Sequence, residues 1–397
     1  MMEKQGFWLS NYNEAPEVKN LLSGMKKSIK IYDTTLRDGE QTVGVSMNAE
    51  DKVNIAKALA EAGVDRIEAG FPASSEEDKV AVKRIVQEVQ GAEIWGFARC
   101  NTDDIKTCID TGVKHLVCEI ATSPQKMKAW NLTEEVILKR IRDAVSYAKK
   151  NDLYTAWFAV DASRANPEFL KKCYQTAVND CGADEVVLVD TLGVASPEAM
   201  GYMTKLVKSW VDVPLAVHCH NDFGLAVACT IACLKEGADS AHVTVNGLGE
   251  KTGNADISEL VIALHGLYDI QTNIKLNKLQ GLSKMVEKIT RVPISPMRPV
   301  VGDQVFTRES GLVVAQILAY PPSVEGYAPE VVGRTREIVL GKKSGKASIE
   351  YALKQASIEM PADLIDELVT RVKKMGVMKK GLVTQEEFIK LALALKQ

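Results

Sequence analysis

The 397-residue sequence contains no run of about 18 uninterrupted apolar residues, so it predicts no membrane-spanning helix. Its first residues mix charged, amide and scattered apolar side chains instead of forming a secretory signal, and we therefore expect a cytoplasmic protein. A basic face or tail is also lacking, and the formal net charge is −3. These features argue against a nucleic acid or an anionic membrane as partner, which leaves small molecules as the expected ligands.

Cysteine pairs with redox or metal-site spacing are absent as well. The eight cysteines include no C-x-x-C pair, and most of them lie within apolar runs. Such cysteines are typical of reduced, buried thiols in a reducing compartment.

What the sequence does contain, from Ile29 onward, is a repeat of a short apolar strand, a polar or glycine-containing turn and an amphipathic helix. Eight such units over roughly 250 residues predict an α/β fold, a closed (β/α)8 TIM barrel. An open doubly wound sheet is the alternative, which is disfavoured because no glycine-rich dinucleotide turn follows the first strand. The predicted strands are Ile29–Asp33, Asp65–Ala69, Ile94–Ala98, His115–Ile120, Thr155–Val160, Glu185–Val189, Leu215–Cys219 and Ala241–Val245.

The pattern changes after about Tyr268, where proline and glycine become frequent, and it becomes helical again near the end of the sequence. Within the N-terminal residues 1–28 we predict one helix, from Glu14 to Leu22. The predicted domains are an N-terminal extension (1–28), the barrel (29–274), a linker or lid subdomain (275–335) and a helical C-terminal subdomain (336–397) with helices Ala347–Gln355, Ala362–Met375 and Gln385–Lys396.

Two histidines close the seventh predicted strand, in the stretch Val-His-Cys-His-Asn-Asp-Phe-Gly from Val217 to Gly224. Because His218 and His220 are two residues apart, their side chains point to the same side of the strand and could bind one metal ion. Either histidine alone would be more typical of a core residue. The pair, followed directly by Asn221 and a polar turn, favours a metal site.

Polar side chains also follow the other strands, at the barrel end where active sites of this fold form. Asp38 and Asn254 together with the two histidines would suit a divalent ion such as Mg²⁺, Mn²⁺ or Zn²⁺. Each residue also has a simpler interpretation, since Asp38 could be a turn residue and arginines could form surface ion pairs. Because all of these residues occur at the same end of the barrel, the functional interpretation is favoured.

Six motifs lie at or just after the ends of predicted strands. They are Asp-Thr-Thr-Leu-Arg-Asp-Gly-Glu-Gln (33–41), Ile-Glu-Ala-Gly-Phe-Pro (67–72), Ala-Thr-Ser-Pro (121–124), Asp-Thr-Leu-Gly (190–193), His-Cys-His-Asn-Asp-Phe-Gly-Leu-Ala (218–226) and Thr-Val-Asn-Gly-Leu-Gly-Glu-Lys-Thr-Gly-Asn (244–254). This set resembles the metal-dependent TIM-barrel acyltransferases and lyases that include isopropylmalate, homocitrate and citramalate synthases. The resemblance covers about residues 29–270 and extends more loosely towards the end of the sequence. It is closest to the short homocitrate synthase type, since no residues follow Gln397 to form a leucine-binding regulatory domain.

The resemblance implies an acyl-CoA:2-oxo acid acyltransferase that carries out a metal-assisted Claisen condensation, with acetyl-CoA or another acyl-CoA as co-substrate. It also implies a homodimer whose C-terminal module reaches over the partner's barrel. Arg37 would polarise the carbonyl of the 2-oxo acid. The implied metal-site residues are Asp38, His218, His220 and Asn254, and the implied substrate-binding residues are Gln41, Glu68, Arg99, Ser123 and Thr191.

Three positions depart from the family's pattern. Val160, Val313 and Val324 stand where a glutamate, a histidine and a tyrosine are expected for acid-base chemistry, and valine transfers no proton. Glu119 is the candidate replacement, because counting by two along strand four places it on the inward face. A carboxylate there is either a catalytic acid-base group or one half of a buried pair.

The three valines keep two alternatives open. One is a divalent-metal carbon–carbon lyase or aldolase on the same barrel, and the other is a non-catalytic binding homologue. A lyase of the hydroxymethylglutaryl type would carry a cysteine in the loop after strand eight, and residues 246–254 contain none.

Overall fold

Eight parallel strands close into a barrel in which each strand pairs with its neighbour in sequence and the last pairs with the first. This computed structural model describes residues 2–4 and 6–396. The closed barrel confirms the predicted (β/α)8 fold and excludes the open sheet. The strands are β1 Lys30–Asp33, β2 Arg66–Glu68, β3 Glu93–Arg99, β4 His115–Ala121, β5 Tyr154–Val160, β6 Glu185–Asp190, β7 Leu215–Cys219 and β8 Ser240–Val243.

Most barrel helices begin at polar residues that cap them, whereas the helix that begins at Ala226 has no side-chain cap. Each of Asn48, Ser75, Asn101, Thr133, Asn166 and Ser196 accepts a hydrogen bond from a backbone amide in the first turn of its helix. The helices are α1 Ala49–Ala62, α2 Glu76–Glu88, α3 Thr102–Thr111, α4 Glu134–Lys150, α5 Pro167–Gln175, α6 Pro197–Trp210, α7 Ala226–Lys235 and α8 Ile257–Leu267.

The start of α1 is the clearest case, because Asn48 forms a reciprocal capping box. Its side chain accepts from the Asp51 amide at 2.9 Å, and the Asp51 carboxylate accepts from the Asn48 amide at 3.2 Å.

We expect Asn48→Ala to destabilise the barrel by about 1 kcal/mol. The shift in urea midpoint, followed by circular dichroism, measures this. Asn48→Ser keeps a capping oxygen and should stay near the wild type, whereas an equal loss in both variants would contradict the capping explanation.

The barrel interior is filled by alternate residues of the strands, which include Trp95 and Phe97 on β3 and Val117 on β4. Since side chains alternate along a strand, the next inward positions lie two residues further on, at the C-terminal ends. On β3 and β4 these positions are Arg99 and Glu119, and both line the cavity described below. The packed interior therefore leads directly into the candidate site.

The chain divides into two compact units, residues 12–294 and residues 1–11 with 295–397. The first unit also contains α9, Leu279–Thr290, within a segment that we predicted to be a linker or lid. Its buried residues Leu279, Leu282 and Val286 recur with helical spacing, so an amphipathic face outweighs the surrounding proline and glycine. The predicted N-terminal helix is shorter than expected and spans only Pro16–Asn20.

Among its described residues, the second unit contains four α-helices and two small sheets. Met2–Lys4 pairs antiparallel with Phe7–Leu9, and Thr307–Arg308 pairs parallel with Glu337–Ile338. The helices are α10 Gly311–Ala319, α11 Lys346–Gln355, α12 Ala362–Lys379 and α13 Gln385–Lys396. A core around Ile349, Leu368, Val372 and Phe388 holds the last three helices together.

Two expectations from composition can also be compared with the structure. None of the helices in residues 2–4 and 6–396 has the length and apolar character needed to cross a membrane. All eight cysteines are free thiols, and all except Cys181 are buried, as predicted.

Candidate functional site

Three buried side chains meet at the C-terminal end of the barrel. Asp38 Oδ2 lies 3.1 Å from His218 Nε2 and 3.6 Å from His220 Nε2, and the two Nε2 atoms are 3.3 Å apart. His218 is the penultimate residue of β7, and His220 follows that strand directly. Asp38 lies in a turn after β1. The structure thus brings together the three residues that the sequence pattern selected from two distant segments.

The spacing and the electrostatics of this triad fit a divalent metal ion. Neighbouring ligand atoms around an octahedral ion at about 2.1 Å lie about 3 Å apart, close to the separations observed here. Burial would raise the pKa of Asp38, but Arg37 and His218 hold it well below its usual value, so the carboxylate is ionised. Burial and His218 lower the pKa of His220 to about 3, which keeps this imidazole neutral and able to bind a metal.

Asn254 offers a fourth donor beside the triad. Its backbone forms an isolated antiparallel bridge with His220, and its Nδ2 donates to the Leu248 carbonyl at 3.0 Å. The buried Oδ1 atom has no hydrogen-bond partner within the described part of the chain. An orphaned amide oxygen on the residue whose backbone pairs with His220 is a further observation that fits a bound cation.

Arg37 is held beside the triad by a buried network. Its Nε donates to Glu68, which also accepts from the Tyr32 hydroxyl at 2.8 Å, and its Nη1 lies 3.7 Å from Asp38 Oδ2. The guanidinium stacks over the Phe97 ring, 4.3 Å from its centre. The Nη2 atom is buried and makes no hydrogen bond to any described residue. Glu68 therefore positions Arg37 and leaves the Nη2 amino group available for a ligand oxygen.

A cavity of about 690 Å³ opens onto the triad and Arg37. Five other residues singled out in the sequence have defined places relative to it. Gln41, Arg99 and Thr191 line the cavity, whereas Glu68 and Ser123 are not part of its wall. Ser123 instead donates to Asp161 through its hydroxyl and caps the short helix Pro124–Ala129.

Glu119 lies on the cavity wall, as the alternation of side chains along the strand predicted. Its carboxylate has no ion-pair or hydrogen-bond partner among the residues described, so the buried-pair interpretation finds no partner residue. Burial raises the pKa of Glu119 to about 7, although the charge of Arg37 acts in the opposite direction. Val160 lines the same cavity and offers no proton acceptor.

Sequence reasoning missed several residues on this wall, among them Lys126, Trp130 and Arg140. These three lie on or beside the short helix Pro124–Ala129 and on α4, not at the ends of strands, where the search was concentrated. The available signal was the short, lysine-containing segment that follows the Ala-Thr-Ser-Pro motif.

Comparisons with known proteins agree with this geometry. The HMGL-like family model matches residues 28–286, and a model described as homocitrate synthase post-HMGL domain-like matches residues 300–380. The 2-isopropylmalate synthase of Methanocaldococcus jannaschii is 44% identical over 354 residues, which cover 88% of this chain and 68% of that protein. A homocitrate synthase of Methanothermobacter thermautotrophicus is 40% identical over 369 residues, 93% of each chain.

Solved structures support the fold. The HMG-CoA lyase of Bacillus subtilis superposes with a TM-score of 0.62 at 21% sequence identity, and the match covers 68% of this chain and 96% of that one. Together, the barrel, the motif set and these matches establish that the chain belongs to the HMGL-like family, among relatives named isopropylmalate, citramalate and homocitrate synthases.

Proposed function

We propose that this chain is a divalent-metal-dependent acyl-CoA:2-oxo acid acyltransferase that forms a 2-hydroxy di- or tricarboxylate. The observation that carries the proposal is the meeting of Asp38, His218 and His220 with the unpartnered Nη2 of Arg37 at one cavity. A metal bound by the triad and Asn254 would act as a Lewis acid on the oxygens of the 2-oxo acid. The names of the relatives support this choice of reaction.

Arg37 stabilises charge in the condensation. As the carbanion of the acyl-CoA attacks C2 of the 2-oxo acid, the C2 carbonyl oxygen becomes an alkoxide. The N–H on Nη2 can donate to that oxygen, while Glu68 keeps the guanidinium in place through Nε. Because the site is buried, such a fixed donor is worth more than it would be in water.

Glu119 is the proposed proton acceptor. It takes a proton from the carbon next to the thioester carbonyl, and the protonated Glu119 then returns this proton to the alkoxide formed by the attack. Hydrolysis of the thioester by water releases the free CoA thiol. A pKa of about 7 suits a base that must accept this proton near neutral pH. The position fits too, since Glu119 shares the cavity with Arg37 and the triad.

A thiol-release assay tests the proposal. Purified protein is supplied with Mg²⁺, Mn²⁺ or Zn²⁺, acetyl-CoA and a panel of 2-oxo acids, and free thiol is measured. We expect release that requires both the metal and one of the acids, with one new hydroxy acid formed for each thiol. An absence of release with every acid, although metal and acid both bind, would remove the acyltransferase proposal. Cleavage of a hydroxy acid without any condensation would identify a lyase instead.

A further inference from the structure

Four basic side chains line the cavity, and two of them lack acidic partners. Arg37 pairs with Glu68, and Arg99 pairs with Asp104 through a contact of 2.7 Å between Nε and Oδ2. Lys126 and Arg140 lie on the same wall, and neither forms an ion pair with any residue in the described ranges. Lys126 and Arg140 therefore carry charges that no ion pair within the described ranges balances. The same wall also holds five carboxylates, those of Asp38, Glu40, Asp78, Glu119 and Glu250.

Lys126 is the better placed of the two. It is partly buried and lies on the same cavity wall as Glu119. Its backbone is fixed, because the Lys126 amide donates to Ser123 Oγ at 3.3 Å and Ser123 is anchored to the buried Asp161. Arg140 on α4 is exposed and reaches the same cavity from its outer side.

We propose that Lys126, assisted by Arg140, binds a second carboxylate at the far end of the 2-oxo acid, so that the substrate is a dicarboxylic 2-oxo acid. This inference rests on the proposed function, because it assumes that the oxo acid end of the substrate lies at Arg37 and the metal triad. An alkyl tail would leave the ammonium group without a partner in a partly desolvated place, whereas a carboxylate would form a charge-assisted hydrogen bond. The positive charge of Lys126 thus selects a substrate with a carboxylate at its distal end.

Two acids that differ at the distal end test the proposal directly. 2-Oxoglutarate and 2-oxopentanoate have five carbons each, and only the former carries the second carboxylate. Binding of each to the metal-loaded protein is measured by isothermal titration calorimetry, without acyl-CoA. We expect the wild type to prefer the dicarboxylic acid, and Lys126→Met to weaken that acid about tenfold while leaving 2-oxopentanoate unchanged.

Control variants separate charge recognition from other effects. Lys128→Met removes an exposed lysine from the same short helix, outside the cavity wall, and should leave both affinities unchanged. Lys126→Gln should lose the preference as Lys126→Met does, and Arg140→Met should lose part of it. Equal binding of the two acids by the wild type, or an equal loss for both in Lys126→Met, would overturn the proposal. It would also be overturned if Lys126→Met weakened only the binding of CoA.

The binding test can fail independently of the proposed reaction. A clear preference for the dicarboxylic acid in a protein that releases no thiol would support this inference and remove the acyltransferase proposal. Equally efficient release of thiol from acyl-CoA with either acid would support the reaction and overturn the inference.

Discussion

Replacing Asp38 with asparagine is expected to weaken divalent-metal binding by about a hundredfold and to lower turnover at least as much. Asparagine keeps the shape of the side chain but removes the only carboxylate of the triad. Asp38 Oδ2 lies 3.1 Å from His218 Nε2, and the carboxylate is held ionised by Arg37. Without it, a cation would face the positive guanidinium with only neutral donors around it, so its binding would be opposed.

Metal affinity is measured by titrating chelator-treated protein with Mn²⁺ or Zn²⁺ in a calorimeter, and turnover is measured by thiol release. Asp103→Asn is the matched control, because Asp103 is exposed on α3 and lies outside the cavity wall. It should bind metal as the wild type does. An unchanged metal affinity in Asp38→Asn would show that the triad is not the metal site.

The parts of the molecule that follow from local sequence rules were predictable. The periodicity of apolar residues in strands and helices predicted the barrel, and cap residues such as Ser75 and Ser196 predicted where helices begin. The spacing of His218 and His220 on one strand required no tertiary information. Asp38 could be added because strand ends meet at one face of a barrel.

Other features depend on partners that are remote in the chain. Glu68 stays a predicted substrate-binding residue, but its hydrogen bonds to Arg37 and Tyr32 in the folded barrel were not predictable. Ser123 is likewise bound to Asp161, which adopts a left-handed conformation with φ of 63° after β5. No periodic pattern reports such pairings, because each joins the ends of two different strands.

Glu119→Gln is expected to lower turnover about 10²- to 10⁴-fold, the usual contribution of a general base. Glutamine keeps the size and polarity of the side chain but cannot accept the proton. In the metal-free protein burial raises the pKa of Glu119 to about 7, and a cation bound in the same cavity would lower it, so the ionised, active form accumulates as the pH rises towards 7. Wild-type turnover should rise over that range and then level off, and the residual activity of Glu119→Gln should lack this rise. Glu135→Gln, an exposed change on α4, should keep both the rate and the pH profile.

Stability separates the catalytic role of Glu119 from a structural one. A carboxylate whose folded pKa lies near 7, above its usual 4.5, stabilises the metal-free fold most below pH 4.5, and this contribution is lost as the pH rises through 7. Above pH 7 the folded protein therefore bears the cost of a buried charge. Thermal unfolding of the metal-free proteins should show that Glu119→Gln gains stability relative to the wild type between pH 5 and pH 8. If glutamine were instead destabilising at pH 8, Glu119 would be one half of an ion pair, and its role as the base would be wrong.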